Sequence, residues 1–259
     1  MIKYSIITVT WNDLSGLKNT FESINRQHYD NYEWIVIDGA SKDGTKDWLK
    51  SLPIGSCTWI SEPDKGIFDA MNKGIKKASG DFLIYMNSGD SFYNESTLEE
   101  VSNKIMECTV KPLFIYGDAI DITSDNIELY KKANHYKTYT KTMFTSHQAM
   151  FFNRDFGETN SIKYPLEYKI TADYAYISLY FNKINEDNKI IYLNFPFCKF
   201  LLGGTNETQR FKALKEDFRI RTKIMRMNII KAFILFLLHY MHTIMKRILP
   251  SITRKLKYQ

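Results

Sequence analysis

The sequence predicts an α/β fold built on a doubly wound parallel sheet, on three observations. Short runs of apolar, β-branched and aromatic residues recur at 4–9 (YSIITV), 34–37 (WIVI), 58–60 (TWI) and 82–86 (FLIYM). Runs that are apolar on both faces suit strands buried in a parallel sheet. Between them, apolar residues return at helical spacing: Leu14, Leu17, Phe21 and Ile24, then residues 46–52, then Phe68, Met71, Ile75 and Ala78. Strand and helix therefore alternate from residue 4 to residue 90, the order of right-handed βαβ units.

The chain has 259 residues, of which 44% are hydrophobic and 15% aromatic. That is enough for one large α/β domain, or a domain with a tail, and it excludes wholesale disorder. The net charge of +6 is uneven. Lys and Arg concentrate in residues 210–259, where Glu216 and Asp217 alone oppose them. A near-neutral body with a basic tail points to an anionic surface as partner, and nucleic acid is not expected. Cys57, Cys108 and Cys198 are isolated, with neither zinc spacing nor a disulfide framework, so a reducing cytoplasm is the expected compartment. The start of the chain enters a strand pattern directly and lacks the apolar region of a signal peptide.

Three of the strands end in polar clusters, at residues 10–13, 38–43 and 87–90. A fourth cluster, 64–72, leads into a helix. In a doubly wound sheet these all face one edge, the edge where ligands sit. Their convergence favours a ligand site over four solvated loops. Asp38, at a strand end, can accept hydrogen bonds from a base or ribose. Lys65 and the backbone of Gly66 can approach phosphates. Asp90 follows the turn Asn87-Ser88-Gly89 and is the position that suits a metal. A lone carboxylate there can hold a hard divalent cation, and the cation a diphosphate. Taken alone, Asp90 serves equally as an Asx-turn residue or a cap for a helix beginning near Ser96.

Four segments in order, T-x-T-W-N, E-W-I-V-I-D-G-A-S-x-D-G-T, E-P-D-K-G-I-F-D-A-M-N-K-G-I and G-D-F-L-I-Y-M-N-S-G-D, resemble family 2 glycosyltransferases with the GT-A fold. The resemblance is to the bacterial enzymes that build surface polysaccharides such as O antigen, capsule or colanic acid. It is dense over residues 3–92 and traceable to about residue 206. It implies a nucleotide pocket lined by Thr8, Thr10 and Asn12. Asp38 would contact the base, with Ser41 and Asp43 in the same element. Lys65, Gly66, Asp69 and Asn72 would close over ribose, diphosphate and sugar. Asn87 and Asp90 match the metal-binding D-x-D-type motif, with Asp90 its only carboxylate.

The resemblance continues more thinly. Residues 113–116 (LFIY) form a strand leading to Gly117-Asp118, near the acceptor side. His147 and Gln148, in SHQAMFF, match the family's H-Q-x-x-F strand and would face donor sugar or acceptor, while a hydrogen-bonded core histidine is the plain alternative. Thr171 and Asp173 precede the apolar helix 175–181 and suit its N-terminus. Asp173 occupies the position of the catalytic base in inverting members, and Asp118 is the runner-up. Gly203 and Gly204 resemble a loop that covers the diphosphate, though an ordinary flexible turn fits them too. No Q-x-x-R-W segment is present, which implies transfer of a single sugar rather than polymerisation.

Residues 208–257 are helical in pattern. The stretch 229–245 is strongly apolar, but it is short for a spanning helix and Lys231, His239 and His242 interrupt it. An in-plane amphipathic anchor on anionic lipid fits better, with packing on the body or self-association as the alternative.

The expected organisation is a GT-A catalytic domain at 1–207, with a nucleotide-sugar half at 1–92 and an acceptor half at 93–207, followed by a helical tail at 208–259. The expected activity is inverting, Mn²⁺- or Mg²⁺-dependent transfer of one sugar from a nucleotide-sugar donor, a UDP-sugar, to a lipid-linked saccharide at the inner face of the cytoplasmic membrane. Two rivals are a sugar-phosphate nucleotidyltransferase, whose glycine-rich basic loop is absent after the first strand, and a non-catalytic membrane scaffold. Homo-oligomerisation stays open.

Overall fold

The structure, a computed structural model, describes residues 1–202 and 209–248. Its first half runs β1 (Tyr4–Thr10), α1 (Leu14–Asn25), β2 (Tyr32–Asp38), α2 (Thr45–Ser51), β3 (Thr58–Ser61), α3 (Ile67–Lys77), β4 (Phe82–Tyr85), β5 (Ser91–Phe92) and α4 (Thr97–Met106). The second half runs β6 (Phe114–Ile122), β7 (Glu128–Lys131), β8 (Met150–Asn153), α5 (Arg154–Thr159), α6 (Ala172–Phe181), β9 (Ile190–Leu201), α7 (Arg210–Lys223) and α8 (Ile229–Ile248).

The strands form one sheet in the order β3-β2-β1-β4-β8-β6-β9-β5, with β7 paired to β6. From β3 to β4 every pairing is parallel, as the alternation of strands and helices predicts. Beyond β4 the pairing is mixed: β8 runs antiparallel to β4 and β6, β7 to β6 and β5 to β9, while β6 and β9 are parallel. The β6–β7 connection, residues 123–127, is too short for a crossover and forces a hairpin.

The continuous apolar strands feed two cores, one on each face of the sheet. Ile7 and Val9 of β1, Ile35 and Ile37 of β2, and Leu83 and Tyr85 of β4 pack against α3 and α6. Tyr4 and Ile6, Trp34 and Val36, and Phe82 and Ile84 pack on the other face with Leu17 of α1, Leu49 of α2 and Val101 of α4. Each such side chain, fully buried, contributes about 1.5–3 kcal/mol. The helix α6 is apolar all round because it is buried nearly all round. At Gly74 of α3 an added Cβ would sit 2.5 Å from Cγ2 of Ile7, so glycine lets this helix lie close on β1.

The register levels the strand ends. Thr10 pairs with Asp38 and Asp38 with Ser61, while the amide of Ser88 donates to the carbonyl of Val9 at 3.1 Å. The polar clusters therefore do share one rim. Among the described residues the tail holds two helices; α7 buries Ala213, Leu214 and Ile220, the last of them in the core beneath α3 and α6. The expected boundary at residue 207 falls within the span that is not described, as do Gly203 and Gly204.

Candidate active site

The loops after β1 and β2 are knitted to each other. The Asn12 amide donates to Ser41 Oγ at 2.7 Å, the Lys42 amide to Asn12 Oδ1 at 2.8 Å, and the Leu14 amide to Asp43 Oδ2 at 2.8 Å. Both loop tips turn through the left-handed region, at Asn12 (φ 50°) and Ala40 (φ 59°). Asparagine tolerates that conformation, whereas alanine there is strained by about 1–2 kcal/mol. Asp43 also accepts from the Thr45 hydroxyl at 2.6 Å, and these hydrogen bonds hold its carboxyl below the ordinary range. Asp38 is fully buried. It accepts from the Ser41 hydroxyl and amide, and from the Ser61 hydroxyl at 2.6 Å. Its carboxylate therefore braces its own loop.

Thr8, expected on the pocket wall, lies in the core instead. Strand alternation puts it on the face shared with Tyr4 and Ile6, and its hydroxyl accepts the indole N–H of Trp34 at 2.8 Å. Thr10 shares that parity but sits at the rim, with its hydroxyl oxygen buried and unpartnered.

The end of β4 is held from three sides. Gly89 takes φ 91°, and the Thr20 hydroxyl of α1 both accepts from the Gly89 amide at 3.0 Å and donates to the Asp90 carbonyl at 2.8 Å. Asp90 Oδ2 accepts from the Asn87 amide at 3.0 Å and from Gln148 Nε2 at 2.8 Å. Burial pushes the Asp90 carboxyl up to about 7, and these two hydrogen bonds restrain the rise. Beside it, Asn87 Oδ1 is buried without a partner. A raised carboxylate next to an orphaned amide oxygen fits a hard, oxygen-seeking cation. Among the described residues no cluster of three or more ligating side chains exists, so the other ligands of such a cation would come from a diphosphate and water.

At the entry to α3, Gly66 takes φ 113°, which favours glycine. Asp69 accepts the Lys65 amide at 3.0 Å, and the Lys65 side chain is exposed. Asn72 departs from the expected ligand role. Its amide pairs with the backbone of Tyr164 at both ends, each at 2.9 Å, and so anchors the 160s loop. His147 lies on a 3₁₀ turn (His147–Ala149) before β8 rather than within the strand. Its Nε2 meets the Tyr164 hydroxyl at 2.9 Å, and burial lowers its pKa to about 3, so it is neutral. Gln148, expected to face sugar or acceptor, reaches Asp90 instead.

Of the two carboxylates considered for the base, Asp118 is enclosed. It sits at an irregularity in the β6–β9 register, fully buried, accepting from the hydroxyls of Tyr130 and Tyr192 (the latter at 2.8 Å) and from the Ala133 amide at 2.7 Å. Asp173 is half-buried in the first turn of α6 and faces a cavity of about 120 Å³. Burial raises it to about 6, opposed by the Tyr174 amide at 2.8 Å and reinforced by the nearby Asp217 and Glu216.

The tail builds this side of the site. Glu216 of α7 accepts the amides of Lys169, Ile170 and Thr171, each at 2.9 Å, and so pins the turn that leads into α6. Asp217, Arg210 and Arg221 line the same cavity as Asp173. Sequence reasoning missed these roles, although Glu216 and Asp217 stand out as the only acids in the basic tail.

Comparison with known proteins bears on family and fold. Residues 5–159 match the family described as glycosyl transferase family 2. An uncharacterized glycosyltransferase of Mycobacterium tuberculosis is 34% identical over 178 residues, 67% of this chain and 66% of that protein, so the match spans just under two thirds of the relative. A PGL/p-HBAD biosynthesis glycosyltransferase of Mycobacterium bovis is 32% identical over 177 residues, 67% of each chain. Among solved structures, S. aureus TarS 1-349 in complex with UDP-GlcNAc superposes with a TM-score of 0.67 at 15% identity, covering 91% of this chain and 70% of that one. A mannosyltransferase from Pyrobaculum calidifontis in complex with GDP-Man and Mn²⁺ gives 0.65 at 15% identity, covering 93% and 70%. These two share the fold, that of GT-A glycosyltransferases. The family match over residues 5–159, joined to the two relatives, makes this chain a glycosyltransferase of family 2.

Proposed function

We propose that the chain transfers one sugar, with inversion, from a UDP-sugar to a lipid-linked saccharide in the building of a bacterial surface polysaccharide. The observation that carries this reading is the pairing at the β4 end: a buried, Gln148-braced Asp90 beside the orphaned Asn87 oxygen, on the rim where nucleotides bind in open α/β sheets. Asp90 and Asn87 would hold Mn²⁺ or Mg²⁺, which when bound supplies positive charge to the leaving diphosphate. The exposed Lys65 and the backbone at Gly66 would flank that diphosphate, with the Thr10 hydroxyl as a further open polar group on the rim.

Asp173 is the proposed base. Ionised above about pH 6, it takes the proton of the acceptor hydroxyl. The hydroxyl oxygen then attacks the anomeric carbon from the face opposite the nucleotide. The bond from that carbon to the diphosphate oxygen breaks, its electron pair leaves with the nucleoside diphosphate, and the anomeric configuration inverts.

The tail supports a membrane-bound acceptor. The helix α8 has 20 residues with a mean hydropathy of 1.4, long and apolar enough to cross a membrane by length and composition. Ile230, Ile234, Leu237, Met241, Met245 and Ile248 form an exposed stripe at helical spacing. Its other side packs on α7 through Phe211–Tyr240 and Phe218–Phe236 ring contacts. Because α7 is strongly charged, this pairing suits a helix lying in the membrane surface better than one spanning it.

Thermal unfolding with UDP, with and without Mn²⁺, tests the donor site. A metal-dependent rise in Tm that vanishes in Asp90→Ala is expected. A shift with GDP instead would overturn the donor, and no shift with any nucleotide would overturn the site.

A further inference from the structure

Arg221 is 1% exposed, yet two of its guanidinium nitrogens, Nε and Nη1, have no hydrogen-bond acceptor. The third, Nη2, donates to the Lys141 carbonyl at 2.6 Å, a neutral partner. The guanidinium lies over the Tyr174 ring, 5.6 Å from its centroid. Buried arginines are ordinarily paired, because an uncompensated charge and unmade hydrogen bonds both oppose folding. Arg221 borders the cavity beside Asp173. The nearest acid on its own helix, Asp217, is shared with Arg210 at 3.8 Å, and burial raises the Asp217 carboxyl. Asp217 thus balances part of the Arg221 charge, and the fork borders the cavity of the proposed base with two nitrogens lacking acceptors.

We propose that this cavity is a phosphate subsite, in which Arg221 binds a phosphate ester group carried by the acceptor while Asp173 meets the accepting hydroxyl. The proposal deepens the functional reading above and rests on Asp173 being the base. A guanidinium edge matches phosphate oxygens bidentately, and here the open Nε–H or Nη1–H would form that edge together with the second N–H of Nη2. The Lys141 carbonyl that anchors Arg221 also lies 3.0 Å from His239 Nε2 of α8. His239 stands on the side of α8 turned to the body, with the buried Ala232 and Thr243, so the cavity meets the packed face of that helix.

Calorimetric titration of the full chain, saturated with UDP and Mn²⁺ to occupy the donor site, tests this with geranyl phosphate, geraniol and inorganic phosphate as probes. Geranyl phosphate is expected to bind more tightly than geraniol, with inorganic phosphate competing. Arg221→Met should weaken geranyl phosphate at least tenfold while keeping the UDP-dependent rise in Tm. Thr142→Trp, at an exposed position on the cavity lining, should block binding with Arg221 intact, and it decides the matter if Arg221→Met fails to fold. Equal binding of geranyl phosphate by wild type and either folded variant overturns the subsite, as does equal binding of geraniol and geranyl phosphate. Arg221-dependent binding in a protein that shows no UDP shift would uphold the subsite while overturning the donor reading.

Discussion

The rim at β1 and β2 and the cavity at α6 and α7 differ in how their polar groups are satisfied. At the rim, Asp38, Ser41, Asn12 and Asp43 bond chiefly to one another and to the backbone. At the cavity, two Arg221 nitrogens have no acceptor, and Asp173 and Asp217 are both raised by burial. The first region is a preorganised frame that would fix where the proposed nucleotide lies. The second keeps its hydrogen-bonding capacity open, as a surface that must engage a reacting group does. The β4 end belongs to both kinds: Asp90 is braced, while Asn87 Oδ1 is open.

The sharpest test of this contrast is Asp173→Asn. Loss of the base should cut kcat by about 10²–10⁴-fold while leaving the UDP-dependent Tm rise intact. In the wild type, kcat/KM should fall as pH drops through about 6, because the base is then protonated. A flat profile from pH 5 to 8 would remove Asp173 from the role.

Next in size is Asp90→Asn, expected to abolish the metal-dependent UDP shift and to lower kcat by about 10²-fold or more through lost charge at the diphosphate. The nucleotide-free protein should respond the other way. The folded-state pKa of Asp90 is raised from 3.8 to about 7, so the native state binds more protons than the unfolded chain between those values. Its contribution therefore turns against folding as pH rises through that window. Asp90→Asn should have a higher Tm than wild type at pH 8 and a difference near zero at pH 4, read by calorimetry without ligand.

Glu216→Gln tests whether the tail belongs to the site. Losing the charge that holds the three amides leading into α6 should cost about 2 kcal/mol, seen as a lowered Tm, together with reduced kcat. A change in membrane binding alone would sever α7 from catalysis. The smallest effect is expected from Ala40→Gly. Relief of the left-handed alanine, offset by the freer unfolded chain, should raise stability by under about 1 kcal/mol and leave nucleotide binding unchanged.

Much of the parallel half was legible because its signals are local. Buried strands read as unbroken apolar runs, and a polar cluster at a strand end must lie on the rim. The individual roles there were less legible. Thr8 and Asn72 carry the right chemistry at matching positions, but strand parity turns one into the core and a pairing with Tyr164 claims the other. Gln148 reaches Asp90 across 58 residues, and Glu216 reaches Thr171 across 45, distances that no periodicity encodes. The strand β9 and the hairpin strand β7 went unread, since partly buried strands mix polar and apolar residues without clean alternation.

The clamp of Glu216 on α6 ties three tasks into one mechanical train. The helix with the exposed apolar face rests on α7, and α7 grips the turn before the proposed base. Seating α8 on a bilayer would therefore bear, through two helix contacts, on the geometry of proton removal. Detergent that strips the protein from lipid would be expected to blunt turnover while sparing nucleotide affinity, so an assay in solution would understate this enzyme even with both substrates present.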